Sequence, residues 1–167
     1  MEFPDLLTRW TALGAMAGAA LVLVCRLSLR SMRNEPLRWL WTVSCGVFLL
    51  HVACAFHFYH HWSHTDAYET TARRTQEMVG VASGSGLYLN YVFAALWPAD
   101  VLWWWCAPRS YRERPRWLTW TYGFFFAFMA VNATIVFGGS VARITGCICC
   151  VAILLTVFLS YRSHKSR

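Results

Sequence analysis

The sequence predicts an all-α integral membrane protein, a single domain of 167 residues built as a five-transmembrane-helix bundle. Three observations predict it. Charged residues make up only 14% of the chain, against roughly 25% in soluble domains, too little charge for a water-facing surface. Five apolar stretches, 10–29, 39–58, 86–106, 117–137 and 141–161, have the twenty or so residues that span a bilayer core. Lys and Arg collect beside alternate ends of those stretches, the distribution that orients membrane proteins.

Taken in order, the first stretch follows MEFPDLLTRW, which is acidic and has no basic region ahead of its apolar run. It is therefore expected to stay as an anchor rather than be cleaved as a signal peptide. Its Gly14, Ala15, Gly18 and Ala19 form a small-residue face suited to close helix packing. The basic connection SLRSMRNEP leads to the second stretch, opened by Trp39.

A polar segment, 59–85, comes next. Its SHTDAYETTARRTQEMVG has no proline, with Asp66 and Glu69 early and Arg73 and Arg74 late, the order a helix dipole favours. This predicts a helix ending near Gly80, either an extension of the second helix or a separate surface helix. Gly84-Ser85-Gly86 then lets the chain turn back. The third stretch carries Pro98, Asp100 and Trp103 to Trp105, and the basic APRSYRERPR joins it to the fourth. Gly138-Gly139-Ser140 predicts a tight turn into the fifth.

Eleven Lys and Arg residues (Arg26, Arg30, Arg33, Arg38, Arg109, Arg112, Arg114, Arg116, Arg162, Lys165, Arg167) fall on one side. Arg9, Arg73, Arg74 and Arg143 fall on the other. The richer side is expected inside, giving an external N-terminus, a cytoplasmic C-terminus and a multi-pass protein of the plasma (inner) membrane. The expected partners are the lipid bilayer and a homo-oligomer or larger membrane complex. The net charge of +7 does not point to nucleic acid, because the basic residues form neither a stripe nor a recognition motif. All seven cysteines lie in or at the ends of apolar stretches, which excludes a disulfide-stapled secreted domain.

The sharpest chemical feature is HVACAFHFYHHWSH, which holds His51, His57, His60, His61 and His64. If the second helix ran unbroken, His57, His60, His61 and His64 would share an arc of roughly 100°. His57 with His61, and His60 with His64, would then have the i, i+4 spacing that lets two imidazoles share a metal. Cys54 stands one turn inward and Tyr68 one turn outward. The expected metal ligands are His57, His60, His61, His64 and Cys54, for copper, zinc or iron. A structural rim and a proton-handling role are the competing readings.

The H-x-x-H-H run at His57, His60 and His61 resembles one histidine box of the membrane-bound di-iron hydroxylases and desaturases. Those enzymes carry several such boxes on the cytoplasmic face. This chain has one, on its expected outer side, so a complete di-iron site is not implied. Haem is a second cofactor option, but the membrane histidines all lie on one helix, so bis-histidine ligation needs a second chain.

His51, Asn90 and Asn132 come from three stretches at similar expected depth, about 8–13 Å below the outer end at 1.5 Å per residue. They are the candidates for a shared cofactor pocket; interhelical hydrogen bonding is the competing role. Asp100 is expected to form a salt bridge with Arg26, Arg30 or Arg38, or else to relay protons. Cys147, Cys149 and Cys150 read as small hydrophobes, with a mixed site beside Cys54 and His57 as the sharper option. No nucleophile with its base, phosphate loop or nucleotide fingerprint defines an enzyme. The sequence therefore leads to a membrane protein with an outward His-rich metal or redox-cofactor site, in a respiratory or metal-handling complex. The alternatives are a non-catalytic scaffold or accessory subunit, and a small proton-coupled transporter or channel.

Overall fold

The computed structural model describes residues 3–28, 34–136 and 143–151, and every regular element among them is helical. The elements are α1 (Phe3–Ser28), α2 (Asn34–Phe58), α3 (His64–Val79), α4 (Gly86–Cys106), α5 (Pro108–Arg112) and α6 (Arg116–Val131). A π-helical turn, Asn132–Val136, extends α6, and residues 143–151 form a further helical run. Pro4, Pro36 and Pro108 lie in first turns and Pro115 caps α6. There the missing N–H costs no helical hydrogen bond.

Helices α1 and α2 form an antiparallel hairpin, the small-residue face of α1 meeting α2 as its composition predicts. A Cβ placed on Gly18 would run into the Ser44 side chain, so a larger residue here would force Ser44 to shift and the helices to move apart. Helix α4 runs antiparallel to α2, joined through the Phe48–Phe93, Trp41–Trp97 and Trp39–Trp105 ring contacts. Trp97 is fully buried at the centre, its ring 5.0 to 5.4 Å from those of Trp41, Phe48, Phe93 and Phe126. Tilted and edge-on aromatic contacts of this kind add to the burial of large rings.

Helix α3 is polar and buries little beyond Ala67. It lies antiparallel to the start of α4: His64 reaches Tyr91, Tyr68 reaches Tyr88, and Thr71 faces Gly86. Its later residues continue beyond α4, and a non-helical stretch, 81–85, brings the chain back. Gly80 ends the helix at φ 77° and donates its N–H to Gln76 O, the left-handed cap that glycine adopts at least cost.

The polar segment is thus a separate surface helix, and the expected bounds of the third stretch coincide with α4. Only 28% and 22% of the most apolar windows of α1 and α2 is buried, and these two helices (Phe3–Cys25 and Glu35–Phe58) are long and apolar enough to cross a membrane. Helices α4 and α6 are the tryptophan- and tyrosine-rich ones, and α6 has only 16 residues. Among the described residues two helices are thus long and apolar enough to cross a membrane, where five spans were expected. The expected turn at Gly138–Ser140 and most of the fifth stretch lie outside the described residues.

Candidate functional site

The histidine stretch does not continue as one helix. Helix α2 ends at Phe58, and His61 and Trp62 follow with φ of 46° and 61°. Two successive non-glycine residues in the left-handed region cost about 1–2 kcal/mol each, so the turn must be held by its surroundings. Trp62 N–H bonds Phe56 O at 3.0 Å, and Ser63 N–H bonds His60 O at 2.7 Å. Ser63 then caps α3 by accepting from Asp66 N–H at 3.2 Å.

The break dissolves the expected ligand face. With the helix interrupted after Phe58, the i, i+4 pairs of His57 with His61 and His60 with His64 no longer exist as helical neighbours. His57 and His61 are exposed, while Cys54 is buried in α2. Among the described residues no group of three or more His, Cys, Asp or Glu side chains could hold a metal ion. The metal expectation for His57, His60, His61, His64 and Cys54 therefore gains no support from the arrangement.

Three imidazoles instead tie elements together through Nδ1. His60 donates to Asp66 Oδ2 at 2.7 Å, joining the turn to the first turn of α3. His64 is hydrogen-bonded to Tyr91 OH at 2.9 Å, joining α3 to α4. His51 donates to the carbonyl of Thr8 at 2.9 Å, joining α2 to α1. A donor bond at Nδ1 places a ring proton on that nitrogen in both His51 and His60. Around His64 stand Tyr68, Tyr88 and Tyr91, with ring centroids 5.8 to 6.4 Å from the imidazole.

A further tie closes the hairpin where α1 begins and α2 ends: Tyr59 OH donates to Asp5 Oδ1. That hydrogen bond, together with some burial, pushes the Tyr59 phenol above its usual value.

The pocket expected of His51, Asn90 and Asn132 is not assembled by hydrogen bonds among them. His51 turns to α1, and Asn132 Nδ2 donates to Phe128 O of its own helix at 2.9 Å. Asn90 occupies the side of α4 that carries Phe93 and Trp97, three and seven residues on, yet it is exposed.

At the other end of α4, Asp100 is buried at 3% exposure and fully engaged. Its Oδ2 accepts from Trp41 Nε1 at 2.9 Å and from Tyr111 OH at 3.0 Å, and its Oδ1 accepts from Arg114 Nη1 at 3.2 Å. Among the described residues the ionic partner is Arg114, and Arg38, one of the three expected, is not paired with it. Arg38 lies over the ring of Trp105 at 3.9 Å, while the side chain of Arg26 and residue Arg30 lie outside the described set. A carboxylate with three donors and almost no water contact is a clamp between α2, α4 and the α5 segment. Cys147, Cys149 and Cys150 are free thiols in the 143–151 run.

Sequence reasoning missed Ser63. The signal was present: Ser63-His64-Thr65-Asp66 has the S-x-x-D spacing that opens a helix. It also missed Trp41, Tyr111 and Arg114 as partners of Asp100, since spacing along the chain does not reveal contacts between segments. No family model matches this chain, and no curated protein or solved structure is similar to it.

Proposed function

We propose that the chain is a five-span protein of the plasma membrane, N-terminus outside, acting as a non-catalytic accessory subunit of a larger membrane complex. In this reading the outer histidines hold α3 as a structured cap on the external end of the bundle. The observation that carries it is the use of His51, His60 and His64 as inter-element ties, each spent on a protein partner through Nδ1. The mostly unburied apolar faces of α1 and α2, the aromatic content of α4 and α6, and the eleven-to-four charge asymmetry support the membrane placement.

The test is native electrophoresis of mildly solubilised membranes carrying the tagged full chain. The reading expects a discrete species well above the 19.2 kDa of one chain, containing a second polypeptide, and its loss when the cap is loosened by Gly84→Val. A single free chain in wild-type membranes contradicts it.

A second reading keeps a metal or redox cofactor at the outer face. It is favoured by the His60–Asp66 pair, because a carboxylate on Nδ1 is the usual support behind a metal-binding Nε2. Stoichiometric copper, zinc, iron or haem in purified protein, lost in His60→Ala, is the outcome this reading expects.

A further inference from the structure

An open cleft of about 690 Å³ lies where α4 ends and α5 begins, lined among others by Trp103, Cys106, Pro108, Arg109, Glu113 and Arg114. By the charge count this end faces the cytoplasm, so the inference rests on the membrane placement proposed above. Pro108 and Pro115 bracket the segment, and the Asp100 clamp fixes it through Tyr111 and Arg114.

The lining carries both signs of charge beside an apolar wall. Arg109 and Arg114 offer guanidinium donors, which suit the planar, multi-oxygen face of a phosphate. Glu113 offers a carboxylate. Trp103 offers an indole ring, the aromatic group that attracts a cation best; its Nε1–H is held by Ser110 Oγ at 3.3 Å and its ring meets that of Tyr111 at 5.6 Å and 85°. Arg109 and Glu113 are paired at 3.1 Å, but their side chains are 88% and 65% exposed. An exposed pair of this kind contributes little, so a ligand with its own two charges can open it at small cost. Arg114 already serves Asp100 and Thr119 and contributes its remaining donors.

We propose that this cleft binds the phosphoethanolamine headgroup of an inner-leaflet phospholipid, phosphate toward Arg109 and Arg114 and ammonium toward Glu113 and Trp103. The charge pattern separates it from two relatives. A phosphoglycerol headgroup has no cation for Glu113, and a trimethylammonium group has no N–H to donate to a carboxylate. Acyl chains leave the cleft along the apolar side of α4.

The test is native mass spectrometry of the delipidated full-length protein with equimolar dioleoyl phosphatidylethanolamine, phosphatidylglycerol and phosphatidylcholine. A parallel arm uses soluble phosphoethanolamine and inorganic phosphate. Phosphatidylethanolamine should bind preferentially, and Arg109→Ala should weaken it roughly tenfold, the scale of a lost charge-assisted hydrogen bond. Glu113→Gln should abolish the preference over phosphatidylcholine, while Arg112→Ala, the same charge outside the cleft lining, should leave binding intact. Equal or tighter phosphatidylglycerol binding, or an equal loss in Arg112→Ala, overturns the proposal. Binding of inorganic phosphate as strong as that of the headgroup also overturns it. Carbonate extraction of native membranes tests the membrane placement separately: protein released there, yet binding soluble phosphoethanolamine, refutes the placement and not the headgroup site.

Discussion

Asp66 accepts a 2.7 Å hydrogen bond from His60 Nδ1 while its own N–H is capped by Ser63 Oγ. One residue thereby starts α3 and ties it back to the turn that ends α2. The geometry explains how a strained turn with two left-handed non-glycine residues is kept without a glycine. Ser63→Ala should cost about 1 kcal/mol of local stability, the usual loss of an N-cap, and His60→Ala less than that, as for an exposed pair. Both should appear as faster amide exchange over residues 64–71, with α1 and α2 unaffected. Uniform loss of protection across the bundle contradicts a local role.

The two glycines of the α3 return should respond differently. At Gly84 a Cβ would meet the Tyr68 backbone oxygen at 2.6 Å and its ring at 2.7 Å, and backbone cannot rotate aside. Gly84→Ala should therefore detach 81–85 from α3, read as faster amide exchange over 81–90. At Gly80 a Cβ meets nothing within 4 Å, but φ is 77°. There Gly80→Ala should cost only about 1 kcal/mol of backbone strain and leave the tyrosine cluster intact.

Removing the Asp100 carboxylate leaves Arg114, whose side chain is 12% exposed, without its ionic partner. Asp100→Ala should destabilise by about 3–5 kcal/mol, the cost of breaking a buried pair, seen as a lower melting temperature in detergent. Tyr111→Phe removes one donor and should cost about 1–2 kcal/mol. A proton-relay role instead expects near-native melting of Asp100→Asn together with a lost proton flux.

The Tyr59–Asp5 tie sets a pH limit on the α1–α2 hairpin. Because the folded phenol titrates above its unfolded value, its contribution is complete below about pH 10. It is lost as pH rises through the raised value. Thermal stability should fall more steeply above pH 10 in the wild type than in Tyr59→Phe. Identical profiles contradict the tie.

Much of the helical architecture was legible because apolar run length and Trp or Tyr edges are local signals. The end of α3 at Gly80 follows from glycine conformational freedom, which a sequence displays directly. The end of α2 at Phe58 coincides with the expected end of the second stretch, but whether the helix ran on past it stayed open. Tyr59 to Trp62 contain no proline or glycine, so propensity argues for continuation, and the reversal is imposed by the Ser63 cap and the packing of α3 on α4. Supposing an unbroken helix there turned four separate imidazoles into an apparent ligand face. Asp100 was correctly singled out as a buried carboxylate needing a cation. Its partner was not, because Arg114 reaches it only after α5 turns the chain back.

Amide exchange over residues 59–79 of the purified wild-type protein, before and after exhaustive chelation and alongside its metal content, bears most directly on the outer histidines. If they are ties that hold the cap, metal is well below one equivalent and the protection of α3 is unchanged by chelation. One equivalent of bound metal whose removal releases α3 would contradict the account.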